Sequence, residues 1–408
     1  MSCLQNELFT RLRKRKVFVS FGLTMVILFF IIFFINSSSS SKLPNNHPEN
    51  LRLNQHHDLK LVHVIFRHGA RTPADTYPND IYINETFEPY GWGQLTNRGK
   101  LQMYELGSFL RQRYHTFLSK TLNLNEIYAQ STGVSRTKMS LQLVLAALFP
   151  PKETALEWNQ NLNWQPIPYN YQELPDDTLL LVRKDCPRYH EEFERVMTEE
   201  IEVRKCADQY AQLYDELSNI TGLSIKTPDD IQSLYSTLKA EREFGLKLPE
   251  WTEEYFPERM QELTDKSYIY NAYNSLMKRL KGGVFLKKAI NDWNNKKIKQ
   301  KIFLYAGHDS SVTNILSAFN VWAQQFPDYG ATGILEFSQN KVDGTYGVEI
   351  FLKNSNKNEL VPLTIPGCAQ FCELSRLQEL LKDNIPQDWK EECKPLNEDF
   401  TAPPPSGP

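Results

Sequence analysis

Two short apolar segments each end in a cluster of polar residues, and this pattern restricts the possible folds. Residues 59–66 are rich in β-branched side chains and stop at Arg67, and residues 301–306 form a second such run that stops at Gly307. Segments of this length and composition are typical of buried strands. A third strand is predicted at 127–129, between helices predicted at about 97–118 and 135–149. This alternation predicts an α/β fold with a mostly parallel central sheet flanked by helices.

The sequence changes character between about 185 and 271. This stretch is charged, helix-forming and poor in strand-like runs. A helix through 276–293 follows, and strands are predicted again at 301–306, 333–337 and 346–353. We therefore expect one main domain over 58–395 with an inserted smaller helical cap domain, followed by a flexible tail at 396–408.

The N-terminal part predicts a segment that inserts into a membrane. Residues 1–16 hold five basic side chains and one acidic side chain, and residues 17–35 hold no charge. Nineteen uncharged residues are close to the number that spans a bilayer, and the basic flank predicts that residues 1–16 stay in the cytosol. The segment 17–35 is an uncleaved signal-anchor or a signal peptide, because small residues that suit cleavage follow it. A polar linker is expected at 36–57.

The chain beyond this segment is accordingly expected outside the cytosol. It is predicted to be anchored as a type II membrane protein with a lumenal or extracellular domain, or to be secreted or lysosomal after cleavage. The acceptor triplets at Asn84 and Asn219 are then available for N-glycosylation. Removing the +4 of residues 1–16 from the net charge of −3 leaves −7, which argues against nucleic acid as a partner.

Five cysteines follow the membrane segment, and an oxidising compartment favours disulfides among them. Cys368 and Cys372 are close enough in sequence to form a local disulfide with each other. Cys186 pairing with Cys393 would link the middle of the chain to its end and leave Cys206 as a free thiol. No His/Cys cluster at zinc spacing accompanies these cysteines, so no metal site is predicted.

The polar cluster after the first strand carries the chemistry. Arg67 and Arg71 flank His68 at the carboxyl end of a predicted buried strand, where open α/β sheets form their binding crevices. Arginine forks are the preferred bidentate partners of phosphate oxygens. A neutral imidazole among guanidinium groups can attack phosphorus and form a covalent phosphohistidine. The pattern predicts phosphoryl transfer through His68.

The cluster after the second strand supplies a candidate acid. Phosphoryl transfer to His68 leaves an alkoxide or phenoxide that needs a proton, and a carboxylic acid can donate it. Asp309 follows His308 directly at the end of this strand. Because the two predicted strands are parallel, their carboxyl ends meet at one edge of the sheet. We therefore expect Asp309 to work opposite His68, below neutral pH, where a carboxyl group is protonated.

The combined pattern resembles the histidine acid phosphatases, which form branch 2 of the histidine phosphatase superfamily. The resembling segments are Arg67-His68-Gly69-Ala70-Arg71-Thr72-Pro73, the pair His308-Asp309, and residues 93–99 and 131–139. The resemblance implies a His68 nucleophile, an Asp309 proton donor and a family that needs no metal or other cofactor. It also implies phosphate contacts from Arg67, Arg71, Arg136 and His308.

The cysteine pattern resembles the prostatic and lysosomal acid phosphatase subgroup, with one bridge fewer. The expected function is an extracytosolic acid phosphatase that acts on small phosphate monoesters. Phosphoproteins are a second candidate substrate, and a second copy of the chain is a candidate partner in a homodimer. One alternative is a phytase-like enzyme for inositol polyphosphates, which would carry several basic residues around the crevice. Another is a catalytically silent binding protein on the same scaffold, which would have lost the nucleophile or the acid.

Overall fold

The computed structural model describes residues 53–180, 185–354 and 359–403. The predicted cytosolic segment 1–16 and membrane segment 17–35 lie outside these residues, as do most of the linker and residues 404–408 of the tail. Within the described ranges, no helix combines the length and the apolar character that crossing a bilayer requires.

An eight-stranded sheet forms the centre of the described chain. Its order is β3-β2-β4-β1-β5-β6-β7, with β8 paired to β6. The strands are β1 (His57–Arg67), β2 (Ile127–Ser131), β3 (Asn170–Tyr171), β4 (Ile302–Gly307), β5 (Thr332–Asn340), β6 (Tyr346–Lys353), β7 (Leu360–Leu363) and β8 (Cys372–Glu373). Neighbours from β3 to β1 pair in parallel, and the pairs from β1 onward are antiparallel, so five of the eight described strands share one direction. The predicted α/β fold with a mostly parallel central sheet is confirmed.

Helices cover both faces of this sheet and also form a separate cluster. They are α1 (Asn97–Arg113), α2 (Ser135–Leu148), α3 (Pro187–Glu199), α4 (Ile201–Gln209), α5 (Ala211–Thr221), α6 (Pro228–Phe244), α7 (Thr252–Tyr255), α8 (Glu258–Tyr270), α9 (Ser275–Lys281), α10 (Gly283–Asn294), α11 (Asp309–Ala318), α12 (Leu374–Leu380) and α13 (Trp389–Glu392). Val62 and Val64 of β1 belong to the core beneath α1 and α2, and Leu61 and Ile65 belong to the core beneath α10 and α11. Alternate side chains of a strand point to opposite faces, so β1 is buried on both sides.

Two predicted boundaries differ from the structure. The helix predicted through 276–293 is two helices, α9 and α10, which meet at Gly282. A Cβ at Gly282 would collide with the backbone carbonyl of Asn314, so α11 packs directly against this junction. The linker predicted at 36–57 extends one residue too far, because His57 opens β1, where its Nδ1 lies 2.9 Å from Glu349 and its ring packs on Phe371.

Residues 185–271, predicted as the helical cap, contain α3 to α8 and no strand in the described chain. A hydrophobic core of their own includes Leu217, Leu234 and Leu263. Tyr77, from the loop that follows β1, is part of the same core. The backbone N–H of Asn79 in that loop donates to the carbonyl of Thr221 over 3.0 Å. The helices therefore pack on the loop that begins with the polar cluster after β1.

Disulfides join Cys186 to Cys393 and Cys368 to Cys372, the two pairs predicted from the sequence. Cys206 is the one free thiol of the described residues, and it is buried. The ammonium group of Lys266 lies 3.4 Å from its sulfur.

Candidate active site

The two polar clusters meet at one edge of the sheet. Strands β1 and β4 are neighbours in parallel, with Arg67 in register with Gly307. The backbone N–H of His68 donates to the carbonyl of Gly307 over 3.0 Å. The ring centroids of His68 and His308 are 5.5 Å apart. Segments about 240 positions apart in sequence thus form one site, and the parallel pairing places them there.

The backbone around His68 sets the chemical state of its ring. Nδ1 lies 2.8 Å from the carbonyl oxygen of Gly69, and a carbonyl can only accept, so Nδ1 carries the hydrogen. Nε2, on the opposite edge of the ring, then holds a lone pair. Burial holds the pKa of His68 well below its usual value, and the charges of Arg136 and Arg67 lower this pKa further. The lowered pKa favours the neutral imidazole, whose Nε2 lone pair can act as a nucleophile.

Gly69 is required by close packing of two backbone segments. A Cβ at this position would collide with the backbone of Gly99 in the first turn of α1. The hydroxyl of Thr96 caps this helix by accepting from the N–H of Gly99 at 3.2 Å and donates to the carbonyl of Ala70 at 3.1 Å. The N-terminus of α1 therefore supports the loop that carries His68.

Arg67 is fully buried and held on three sides. One terminal nitrogen donates to the carbonyl of Pro327 at 2.6 Å, and the other pairs with the carboxylate of Asp309 at 3.0 Å. Its guanidinium carbon lies 4.4 Å from the ring centroid of Tyr329, a cation–π contact. These contacts fix the plane of the guanidinium before any ligand is bound.

Arg71 and Arg136 complete a buried group of three guanidiniums. Arg71 donates to the carbonyl of Thr72 at 2.9 Å, and Arg136, in the first turn of α2, lies 3.5 Å from the carbonyl of Gly93. Burial and the neighbouring charge of Arg71 lower the pKa of Arg136 to about 9. Within the described chain, the Nε atoms of Arg67, Arg71 and Arg136 have no hydrogen-bond partner. Buried donors without partners are costly, and a bound anion could satisfy donors of this kind.

Asp309 is the first residue of α11, and its side chain is 24% exposed. Its Oδ1 accepts from the backbone N–H of Ser310 at 2.7 Å. Burial raises the pKa of Asp309, but the charge of Arg67 and the Ser310 N–H outweigh this effect and leave the pKa below its usual value. The carboxylate is therefore ionised in the resting site.

The six residues predicted for the site carry three guanidiniums and one carboxylate, with a neutral His68. Two net positive charges remain if His308 is neutral too, which suits a phosphate dianion. Sequence reasoning missed Thr132, whose hydroxyl lies 3.0 Å from Nε2 of His308, and Tyr329, which lies against Arg67. Neither residue type signals a site by itself, and both reach it only through the folded chain.

The predicted glycosylation acceptors lie elsewhere on the surface. Asn84 is exposed in the loop after β1, and Asn219 is exposed on α5. Among the described residues, no group of three or more His, Cys, Asp or Glu side chains is arranged to hold a metal ion.

The fold and this site define a class of α/β proteins in which a buried histidine, surrounded by arginines, lies at the carboxyl edge of a parallel sheet segment. The chain belongs to the histidine phosphatase superfamily (branch 2), whose family model matches residues 58–353. The predicted enzyme class, a histidine acid phosphatase, is confirmed at the level of the family.

Acid phosphatases are among the similar curated proteins. The chain is 38% identical to the prostatic acid phosphatase of Rattus norvegicus, over 84% of this chain and 92% of the relative. It is 38% identical to a venom acid phosphatase of Apis mellifera, with 82% of this chain and 88% of the relative covered, and 36% identical to the lysosomal acid phosphatase of Rattus norvegicus, with 83% and 81% covered.

Solved structures of more distant sequence share the fold. The phytase of Hafnia alvei in complex with tartrate superposes with a TM-score of 0.62 at 16% identity, over 84% of this chain and all of that one. The phytase of Citrobacter braakii gives a TM-score of 0.61 at 15% identity, over 83% of this chain and all of that one.

Proposed function

We propose that this chain is an acid phosphatase that hydrolyses phosphate monoesters through a covalent intermediate on Nε2 of His68. The observation that carries the proposal is the Nδ1 contact of His68 with the Gly69 carbonyl, which leaves the Nε2 lone pair among buried guanidiniums. The family membership and the acid phosphatases among the relatives agree with this activity.

In the first step, the Nε2 lone pair of His68 forms a bond to phosphorus while the bond from phosphorus to the leaving oxygen breaks. Arg67, Arg71 and Arg136 balance the charge on the three remaining phosphoryl oxygens. Protonated Asp309 gives its proton to the leaving oxygen, which departs as an alcohol or phenol. In the second step, water attacks phosphorus, Asp309 accepts a proton from this water, and His68 is released together with inorganic phosphate.

The substrate is the proposed source of the proton that Asp309 donates. Asp309 is ionised in the free enzyme, because Arg67 and the Ser310 N–H lower its pKa. A phosphate monoester has a second pKa of about 6, so below this pH it arrives as a monoanion with one proton. Transfer of this proton to Asp309 leaves a phosphate dianion among the arginines and a carboxylic acid beside the leaving group. Activity in acid follows from this pairing.

The surroundings of the site favour simple monoesters over phosphate-dense substrates. Lys239 and Arg67 both lie against the ring of Phe326. The ammonium nitrogen of Lys239 is 5.6 Å from the ring centroid, and the guanidinium carbon of Arg67 is 5.3 Å from it. Its ammonium group is neutralised by Glu243 at 2.8 Å and Asp328 at 3.1 Å. A polyphosphorylated inositol would need free cations there, so we propose small phosphate monoesters, and exposed phosphoprotein side chains, as substrates. Inositol polyphosphates remain the alternative class.

We also propose that the enzyme works outside the cytosol. Two disulfides suit an oxidising compartment, and the segment 17–35 would direct the chain there. The relatives include a lysosomal and a venom acid phosphatase. Exposure of Asn84 and Asn219 supports glycosylation at these positions. Membrane anchoring through 17–35 and homodimer formation stay predictions.

The test is to trap the intermediate. The enzyme is mixed with a monoester labelled with ³²P, quenched within milliseconds in alkali and digested, because phosphohistidine survives alkali and is lost in acid. Label is expected on the peptide that contains His68, and His68→Ala should abolish both the label and turnover. His115→Ala, at an exposed histidine just after α1, is the matched control and should change neither the label nor turnover. Turnover by His68→Ala at the rate of the unmodified enzyme would refute the proposal.

A further inference from the structure

The geometry points to a positioning role for Thr132 and Thr137: we infer that their hydroxyls hold His308 with a hydrogen on Nε2 and with Nδ1 directed at Arg136. The inference rests on the proposed function, because it assigns these hydroxyls to the phosphate site of that reaction. Neither threonine carries a charge or a metal-binding group, and both are fully buried.

The hydrogen bonds of Thr137 determine the direction in which the hydroxyls of Thr132 and Thr137 donate. Its Oγ1 lies 2.8 Å from the carbonyl of Val134 and 3.3 Å from the carbonyl of Thr132. Carbonyl oxygens only accept, so the single hydroxyl proton of Thr137 points toward them. The hydroxyls of Thr132 and Thr137 are 2.7 Å apart. Since the proton of Thr137 is already used, Thr132 must be the donor in this contact.

The same reasoning then applies to His308. Its Nε2 lies 3.0 Å from Oγ1 of Thr132. The Thr132 proton is directed at Thr137, so Thr132 accepts here and Nε2 of His308 carries a hydrogen. On the other edge of the ring, Nδ1 lies 3.5 Å from a terminal nitrogen of Arg136, which can only donate. Both of these contacts are satisfied when Nε2 is protonated and Nδ1 presents its lone pair to Arg136.

The fold makes this arrangement rigid. Thr132 follows β2 directly, and its N–H donates to the carbonyl of Ala306 in β4 at 3.1 Å. Thr137 lies in the first turn of α2, one residue after Arg136. The turn between β2 and α2 therefore joins the strand before His308 to the helix that carries Arg136. With both threonines buried, water cannot replace a lost hydroxyl, and its removal leaves a buried donor without a partner.

The consequence concerns phosphate binding. His308 and Arg136 are proposed to contact the same phosphoryl group, so their relative orientation determines how well its oxygens are held. If the ring carried its hydrogen on Nδ1, two donors would face each other, and Arg136 would be pushed away from the phosphate. The two hydroxyls prevent this arrangement. They act through His308 and do not themselves contact the substrate.

The experiment compares matched variants at both positions. Thr132→Val keeps the shape but removes the acceptor of the Nε2 hydrogen, and Thr132→Ser keeps the hydroxyl. Thr137→Val removes the acceptor of the Thr132 hydroxyl, whose proton can then turn toward Nε2 of His308 and favour hydrogen on Nδ1. Thr137→Ser keeps the hydroxyl and therefore the hydrogen bonds. The readouts are ¹⁵N spectra of the His308 ring, assigned with His308→Gln, and kcat and KM for p-nitrophenyl phosphate.

Thr137→Val is expected to change the His308 ring signals from the Nε2–H pattern, and Thr132→Val is expected to shift the Nε2 signal because the hydrogen on Nε2 loses its acceptor. Both valine variants should lower kcat/KM about 10- to 100-fold, as for hydrogen-bond partners that orient a metal-binding histidine. Both serine variants should keep the Nε2–H pattern and stay within about threefold of the unmodified enzyme. If Thr132→Val does not fold, the Thr137→Val and Thr137→Ser pair makes the same measurement.

An Nε2–H pattern that persists in folded Thr137→Val overturns the inference, even if activity falls, because the loss is then structural. Equal losses in the valine and serine variants also overturn it. The ring spectra need no turnover, so they decide this inference separately from the trapping experiment. Failure to trap phosphohistidine in the unmodified enzyme would refute the proposed function and leave the spectra to decide the orientation of His308.

Discussion

Arg67 donates to the carboxylate of Asp309 over 3.0 Å, so the group proposed to bind phosphate also controls the group proposed to donate the proton. The contact holds the pKa of Asp309 below its usual value and so favours the carboxylate. A bound phosphoryl group competes for Arg67 and adds negative charge beside Asp309, and both effects raise the pKa of this carboxyl. In the proposed mechanism the acid therefore forms when the substrate binds, and this coupling leads to the first two predictions.

Asp309→Asn should slow substrates with poor leaving groups more than those with good ones. The amide keeps the size of the carboxylate but cannot protonate the leaving oxygen. We expect a loss in kcat/KM of about 100-fold or more for an alkyl phosphate and a much smaller loss for p-nitrophenyl phosphate. Steady-state kinetics with both substrates makes the comparison. Equal losses on the two substrates would mean that Asp309 acts through Arg67 alone.

The pH at which kcat/KM falls on the alkaline side of the pH profile should depend on the second pKa of the substrate. If the monoanion supplies the proton, kcat/KM falls as pH rises through the second pKa of the substrate, which is about 6 for a typical monoester. Aryl phosphates with electron-withdrawing substituents lose this proton at lower pH, so their alkaline limbs should shift to lower pH in step. If kcat/KM falls at the same pH for every substrate of the series, the group that titrates belongs to the enzyme.

Arg136→Ala should weaken transition-state binding strongly. Removal of one of three buried guanidiniums is expected to lower kcat/KM on the order of 10²- to 10³-fold. Arg136→Lys keeps the charge but loses the planar fork, so it should recover only part of this loss. Arg98→Lys serves as the control, because the Arg98 side chain is 51% exposed and pairs with Glu243. Full activity in Arg136→Lys would show that only the charge matters.

Glu241→Gln should stabilise the fold near neutral pH. Glu241 is fully buried in α6, and burial together with Asp80 raises its pKa from 4.5 to about 8. Between these two values the unfolded chain has lost the proton and the folded chain keeps it, so the free energy of unfolding falls as pH rises. This cost is on the order of 3 kcal/mol at pH 7.

Urea unfolding at pH 5 and pH 7 measures the difference. Glu241→Gln has nothing to ionise, so its stability should decline less over this interval than that of the unmodified enzyme. Glu202→Gln, at an exposed position of α4, is the control and should follow the unmodified enzyme. The same decline in Glu241→Gln as in the unmodified enzyme would contradict the raised pKa.

The two disulfides should contribute unequally to stability. Cys186 and Cys393 are 207 positions apart, whereas Cys368 and Cys372 are separated by 4. The longer loop restricts the unfolded chain more, so its removal by a double serine variant should lower the free energy of unfolding by roughly 2–4 kcal/mol. The same change at the short loop should cost less. Denaturant unfolding under non-reducing conditions tests this, and the reverse order would contradict it.

The strands that carry the site were predictable because their patterns are local. Residues 59–66 and 301–306 are short, apolar and β-branched, and the structure has them as β1 and β4. Two parallel strands end at one edge, so chain direction predicted that His68 and His308 lie at the same edge of the sheet, and the pairing of β1 with β4 makes them neighbours. The break at Gly282 was not predictable, since the helical pattern runs through it and the cause is the contact with Asn314 in α11.

The amino-acid sequence by itself determined the kinds of groups in the site and the edge of the sheet at which they gather, because apolar periodicity and strand direction depend only on the order of residues. Only the tertiary structure decided their chemical state. The lone pair on Nε2 of His68, the ionised carboxylate of Asp309 and the hydrogen on Nε2 of His308 each depend on burial and on partners far away in sequence. Desolvation and hydrogen-bond direction arise only when the chain has folded around these groups.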